Sequence, residues 1–284
     1  MMLRQLLFSA TLLLGARGLS AQDQPAFGAY QFSNGVHPTV DAVFEAASAR
    51  EVERFWQGEL KGISVKVTNK KELIGHAARV PAASPDTLQI LVAVEKPKGS
   101  LYTTAHIAFF TTAGYVGPDS PERERDGTVE WVRQRTTVLR RQLAQAEVDR
   151  QQRQLDNLNR DLNMLQREQQ RAENNIRRSQ EHMEQAARDS ATAAQGLANL
   201  DASPLAARDS SDMAAAGKAK EKERSKLQAQ VKRAAYNRAS YQKRIGDLQW
   251  DLKKNADGQK TKQAAIEQQQ SAVNTARGKL QSIR

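Results

Sequence analysis

The 284-residue chain contains no cysteine and few aromatic residues. The absence of cysteine excludes disulfide bonds, thiolate metal sites and cysteine nucleophiles. Aromatic residues make up only 5% of the sequence and apolar residues 39%, below the share of about 45–50% that is usual in globular domains. So few large side chains could not fill two globular cores. We therefore expect one small core together with long, polar helices.

Familiar catalytic and cofactor-binding motifs are also missing. The sequence contains no Walker loop for phosphate, no nucleophile elbow and no dinucleotide-binding fingerprint. The four histidines, His37, His76, His106 and His182, lack the spacing of a zinc site. We expect no bound cofactor, no metal and no enzymatic activity. The alternative is an enzyme with an unrecognised site, which a deep polar cleft at His76 or His106 would reveal.

Only the start of the chain is strongly apolar. A basic residue, Arg4, precedes the apolar run Leu6–Gly15, and Leu19-Ser20-Ala21 has the small residues that signal peptidase recognises. Arg17 interrupts the run, which is too short for a membrane anchor. Residues 1–21 therefore predict a signal peptide and a periplasmic or secreted protein of a Gram-negative bacterium. We expect no transmembrane span after cleavage.

Charge divides the rest of the chain into two parts. Residues 22–120 carry 9 basic and 10 acidic side chains, whereas residues 121–284 carry 32 basic and 22 acidic ones. Prolines and glycines cluster at the boundary, which indicates a break between structural units. We predict a head domain at residues 22–117, a linker at residues 118–127 and a basic C-terminal part.

The head combines one helical pattern with several alternating ones. From Thr39 to Leu60 apolar residues recur mostly three or four apart, which predicts a helix with the threonine as its N-cap. Alternation with a period of two predicts strands at Ile63–Val67 and Leu88–Val94, and β-rich sequence continues over Leu101–Thr112. Leu73–Val80 is a weaker strand candidate. We expect an α+β head, with one main helix on a three- or four-stranded, mainly antiparallel sheet.

The C-terminal part follows a heptad repeat in two stretches. In residues 128–200 the a sites recur every seven residues from Val148 and the d sites from Gln151; twelve of sixteen are apolar. In residues 218–284 the a sites recur from Val231 and the d sites from Leu227; twelve of seventeen are apolar. The main residues of the predicted seam are Leu155, Leu158, Leu162, Leu165, Ile176, Ile245, Leu248 and Leu252.

Two helices of similar length, joined by a turn at residues 201–217, predict an antiparallel coiled-coil hairpin. The alternative is a parallel dimer in which the same segment is a hinge, and a homo-oligomer of hairpins is a further option. Asn255, Gln259 and Lys262 interrupt the second seam with polar side chains. Such residues select one register at some cost in stability, or mark a flexible joint or the entry of a partner helix.

Basic charge is concentrated at the start of the second stretch. Residues 218–262 hold 14 Lys and Arg against 5 Asp and Glu. Five of these cations lie at the predicted tip: Lys218, Lys220, Lys222, Arg224 and Lys226. One hypothesis is that the tip docks on an anionic envelope surface; the alternative is a solvated face whose cations pair with nearby carboxylates. Nucleic acid is disfavoured as a partner of an exported protein.

Several segments carry a resemblance to known proteins: Leu19–Gln22, Phe55-Trp56, Lys61–Val67, Asp86–Glu95 and Ala108–Tyr115. Together they resemble a group of uncharacterised exported proteins of Gram-negative bacteria. In that group a small α+β head precedes a long C-terminal coiled coil. The resemblance implies this architecture and export, and no activity.

These features predict a non-enzymatic exported protein of the cell envelope, a coiled-coil scaffold or interaction module with a recognition head. Its expected partner is another protein, bound as a helix or as an unfolded client, or an anionic envelope surface. The alternative is a holdase-like periplasmic chaperone whose basic helical arms collect exported clients.

Overall fold

A computed structural model describes residues 25–203 and 210–283. The predicted signal peptide and the middle of the predicted turn lie outside the described residues. The described part is an antiparallel sheet with one short helix and two long helices. The elements are β1 (Ala26–Phe32), β2 (Gly35–Glu45), α1 (Ala49–Ile63), β3 (Lys66–Asn69), β4 (Leu73–Ala78), β5 (Leu88–Glu95), β6 (Tyr102–Thr111), β7 (Gly114–Tyr115), α2 (Glu122–Ala202) and α3 (Ser210–Ser282).

The sheet has seven strands among the described residues, more than the three or four expected. Its order is β1-β2-β6-β5-β4-β3, with β7 paired to β6, and every pairing is antiparallel. The three additional strands are β1 and β2, which form a hairpin, and the two-residue β7. The antiparallel α+β architecture with long helices agrees with the sequence prediction.

The predicted helix from Thr39 to Leu60 is wrong in its first half. Thr39 lies in β2, where alternate residues such as Val40 and Phe44 are buried against the helices. The helix begins only at Ala49, after Ser48, whose hydroxyl accepts from the Glu51 amide at 3.2 Å. The three- and four-residue spacing arose because side chains from both faces of a strand were counted together. A capping box thus sets the start of α1.

The predicted strand at Ile63–Val67 also shifts along the chain. Ile63 is the last residue of α1, and β3 runs from Lys66 to Asn69. The other three predicted strands correspond to β4, β5 and β6 within a few residues. Ile63 fits both patterns. It is the last apolar residue in the amphipathic spacing of α1 and also the first in the alternating pattern, so the sequence did not separate the end of the helix from the start of the strand.

The main core lies between one face of the sheet and the helices. From α1, Val52, Trp56 and Leu60 are fully buried. The first turns of α2 complete this core, because the Trp131 ring lies 5.8 Å from the rings of both Trp56 and Phe109. Part of the helix that the heptad analysis assigned to the coiled coil therefore belongs to the head.

The chain divides into two compact units. Of the described residues, one unit comprises 25–149 together with 275–283, and the other comprises 150–203 and 210–274. Helix α2 begins at Glu122, inside the segment assigned to a linker, and ends at Ala202; α3 begins at Ser210. Both long helices therefore extend into the segment expected to be a turn.

Candidate functional site

One face of the sheet is not covered by any helix of the described residues, and the strand register groups polar and aromatic side chains there. Paired residues of antiparallel strands point to the same face. Asp41 pairs with His106 across β2 and β6, and Tyr30 pairs with His37 across β1 and β2. We call the side chains on this face the open sheet face. His106 was a candidate site residue from the sequence, whereas Tyr30 and Asp41 were not.

His106 is held from three sides. Its Nδ1 lies 2.9 Å from Asp41 Oδ1, and its Nε2 lies 3.9 Å from Glu95 Oε2. The Tyr30 ring stacks on the imidazole with 4.2 Å between ring centroids. Because the side chain is only 13% exposed, these contacts fix the orientation of the ring. The arrangement presents an ordered aromatic and acidic surface.

A second stacked pair lies on the same face. The rings of His37 and Tyr115 are 3.7 Å apart between centroids and nearly parallel. Asn34 joins the two residues, since its Oδ1 lies 3.0 Å from His37 Nε2 and its Nδ2 donates to the Tyr115 hydroxyl at 3.0 Å. A small cluster of buried residues on this face comprises Phe32, Leu91, Ala93 and Ala108. Aromatic side chains therefore form much of the open sheet face.

The histidines named by the enzymatic alternative lie on different strands, and the two depressions described below lie elsewhere. His76 lies on β4, with its Nε2 3.3 Å from the Thr68 hydroxyl, and β5 separates it from His106 on β6. One shallow depression is lined by residues of α1 and α2, including Phe55 and Leu139, and another by residues of α2; histidine lines neither. No group of three or more side chains suited to a metal ion occurs among residues 25–203 and 210–283.

The predicted seam residues are the less exposed side chains of the long helices. Leu155 is buried, whereas Leu158, Leu162, Leu165 and Ile176 are half-buried. All sixteen a and d sites of the first stretch are buried or half-buried. The residues Ile245, Leu248 and Leu252 of the second stretch are half-buried too, and Arg238 is the one exposed side chain among its seventeen sites. The surrounding positions are mostly exposed and polar.

The polar residues of the second seam contact α2 directly. Asn255 Nδ2 donates to the Leu165 carbonyl at 3.0 Å, and Gln259 Nε2 donates to Gln169 Oε1 at 2.7 Å. These side chains thus form a polar layer between the two helices. A nearby ion pair joins Lys262 Nζ to an Asp161 carboxylate oxygen at 2.7 Å.

Several residue pairs join α2 and α3, and their residue numbers fall along α3 as they rise along α2. Gln269 bonds to Gln151, Lys262 pairs with Asp161, and Tyr241 stacks on His182 with 5.3 Å between ring centroids. Farther along, a Cβ added to Gly196 would lie 3.2 Å from the side chain of Leu227. These four contacts run in opposite directions along the two helices; within the polar layer, over four residues, the numbers instead rise together, from Leu165 with Asn255 to Gln169 with Gln259.

The cations of the predicted tip are partly neutralised. Lys220 Nζ donates to the Ser203 carbonyl at 2.7 Å, Arg224 lies 3.7 Å from Asp201, and Lys226 lies 3.6 Å from Glu223. Lys218 and Lys222 are exposed. The local pairing expected by the alternative interpretation thus accounts for part of this charge.

Two exposed aromatic residues of α3 were not among those predicted from the sequence. Tyr236 is 75% exposed and Trp250 is 64% exposed. Both occupy the f position of the predicted heptads, which is the position farthest from a coiled-coil partner. Their position in the register was available from the sequence and could have identified them.

The chain matches no known family model, and no curated protein matches it. None of the described helices contains an apolar stretch long enough to cross a bilayer.

Proposed function

We propose that this protein is a non-enzymatic interaction protein of the cell envelope, with a recognition head and a scaffold formed by an antiparallel coiled-coil hairpin of α2 and α3. The observation that carries the proposal is the burial of the heptad seam. All sixteen predicted core sites of α2 are at least half-buried, although most other side chains of this helix are exposed. Burial of this kind is what knobs-into-holes packing requires.

The order of the contacts favours a hairpin over a parallel dimer. In a parallel dimer each residue would lie near its own copy in the second chain, so the residue numbers of contacting pairs would rise together along both helices. Here they run in opposite directions from Gln151 with Gln269 to Gly196 with Leu227. The polar layer adds a hydrogen bond between the two helices, because Gln259 Nε2 donates to Gln169 Oε1.

The recognition role of the head is supported by the open sheet face. Its stacked pairs, Tyr30 with His106 and His37 with Tyr115, offer aromatic and polar groups that are already ordered before a partner binds. A preorganised surface loses little side-chain entropy on binding. Export to the envelope is supported by the sequence of residues 1–21.

Cross-linking of introduced cysteines tests the hairpin. Because the chain contains no cysteine of its own, only the introduced residues react. The variant with His182→Cys and Tyr241→Cys should give a cross-linked monomer with a short bis-maleimide. The matched control combines His182→Cys with Tyr236→Cys, whose side chain is exposed. It should react with the reagent at each cysteine and form little internal cross-link.

A cross-linked dimer from His182→Cys alone would instead indicate a parallel pair. Cell fractionation tests export: the full chain should be found in the envelope fractions, and a chain without residues 1–21 should remain inside the cell. Full-length protein that stays with the intracellular fraction would contradict this part of the proposal.

A further inference from the structure

One side of α3 combines the two exposed aromatic residues with unpaired positive charge. Tyr236 and Trp250 lie two heptads apart, so they point the same way, about 21 Å apart along the helix. The neighbouring b, c and f positions carry Lys232, Arg233 and Lys243. Every one of these side chains is exposed. We call this surface the outer face of α3.

The outer face keeps a net positive charge, because between Lys232 and Lys254 its b, c and f positions carry five cations and one carboxylate, Asp247. Lys232, Arg233, Lys243 and Lys253 take part in none of the ion pairs found among the described residues. Lys254 Nζ lies 5.5 Å from the centroid of the Trp250 ring, a cation–π contact that leaves its charge uncompensated. This contrasts with the predicted tip, where three of five cations have oxygen partners.

We infer that the outer face of α3 lies on an anionic lipid bilayer surface. Trp and Tyr favour the level of the lipid headgroups, and Lys and Arg are attracted to anionic lipids. A helix that lies flat on a bilayer uses both groups on one side. The inference rests on the proposed pairing of α2 and α3, which makes this side of α3 the outer one.

The geometry favours lipid over nucleic acid and over an unfolded chain. Proteins that bind single strands hold them in a groove and stack successive bases on neighbouring rings. Tyr236 and Trp250 are too far apart for successive bases, and they lie on the convex side of a helix. An unfolded client needs a continuous apolar surface, whereas here charged residues separate the two rings.

Tryptophan fluorescence provides a direct readout because Trp250 is the one well-exposed tryptophan; Trp56 and Trp131 are buried. The full chain is mixed at low salt with phosphatidylcholine vesicles with and without phosphatidylglycerol. We expect binding to the anionic vesicles only, with quenching by lipids brominated in their acyl chains. The variant Trp250→Phe should still bind, and the quenching should disappear.

The charge contribution is tested with Lys243→Gln and Lys253→Gln in one chain. Each cation near an anionic surface contributes about fivefold to binding, so this variant should bind roughly 25-fold more weakly. The matched control is Lys218→Gln with Lys222→Gln, which removes the same charge at the predicted tip. This control should keep Trp250 in contact with lipid, and circular dichroism should show an unchanged helix content for both.

Three results would overturn the inference: no binding to anionic vesicles, binding without quenching of Trp250, or a greater loss of binding in the tip control. Suppression of client aggregation that depends on Tyr236 and Trp250, without vesicle binding, would assign the face to a chaperone. Binding of single-stranded nucleic acid alone would assign it to that partner. The cross-link between positions 182 and 241 tests the hairpin without vesicles. A failure of the hairpin proposal can therefore be distinguished from a failure of the lipid-binding inference.

Discussion

Gly127 lies where the first turns of α2 approach the loop that contains Ala82. A Cβ atom at this position would lie 1.9 Å from the Ala82 carbonyl oxygen, so the backbone of one segment would have to move. Overpacking of this kind costs about 1–3 kcal/mol. We expect Gly127→Ala to lower the free energy of unfolding of the head by that amount, measured in urea by tryptophan fluorescence.

A matched control is available in α1. Nothing lies within 4 Å of a Cβ atom added to Gly58, so Gly58→Ala should gain up to about 1 kcal/mol of stability from helix propensity. Equal effects of the two substitutions would show that α2 does not approach the loop closely.

Trp131 connects α2 to the core of the head. Its ring contacts Trp56 and Phe109, and only 7% of the residue is exposed. Trp131→Ala should therefore cost about 3–5 kcal/mol, measured by denaturation in urea. The same truncation at Trp250, which is largely exposed, should change stability by less than about 0.5 kcal/mol. Similar losses in both variants would contradict the proposed role of Trp131.

At the scale of the elements, the polar layer of α2 and α3 gives a prediction about register. Gln259 Nε2 lies 2.7 Å from both Gln169 Oε1 and Asn255 Oδ1. Gln259→Leu alone leaves polar groups without a partner and should cost about 1 kcal/mol. The double variant with Gln169→Leu should recover most of this loss, because two leucines can pack together.

Thermal unfolding followed by circular dichroism of the full chain measures the recovery. Because Leu pairs specify register less strictly than a polar layer, cross-linking of positions 182 and 241 should become less efficient in the double variant. If the two single variants and the double variant lost stability additively, Gln169 and Gln259 would not be partners.

The sequence predicted some elements better than others for physical reasons. A long helix could be predicted at α2 because a heptad pattern persists over many turns, and its a and d sites are among the less exposed side chains of this helix. The start of α1 was misplaced because β2 presents apolar residues on both faces, so a period of two resembled a period of 3.6. β1 was missed because its sequence contains no long run of apolar or β-branched residues.

The open sheet face could not be predicted because it depends on register between distant strands. Asp41 and His106 are 65 positions apart, and only the pairing of β2 with β6 brings them together. Trp131 was assigned to the coiled coil for a similar reason, since a local pattern does not identify what a helix packs against. Exposed aromatic residues such as Trp250 could have been found from the heptad register alone.

At the scale of the whole molecule, the part with the sheet and the part with the long helices differ in net charge. Residues 22–120 have a net charge of −1 and residues 121–284 a net charge of +10. The neutral part forms the sheet, α1 and most of their core, and the basic part forms the long helices, of which α2 completes that core. We therefore expect binding to anionic surfaces to require residues of α3 and to weaken as salt is raised, because exposed charges are screened.

The central claim is that α2 and α3 of one chain pair in opposite directions. Electron paramagnetic resonance can measure the distance between spin labels at exposed positions 167 and 257 of the full chain. The proposed hairpin predicts about 25–35 Å for this pair and a clearly longer distance for labels at positions 167 and 236. A distance beyond about 60 Å for the first pair, or a dipolar signal from chains labelled at position 167 alone, would contradict the account.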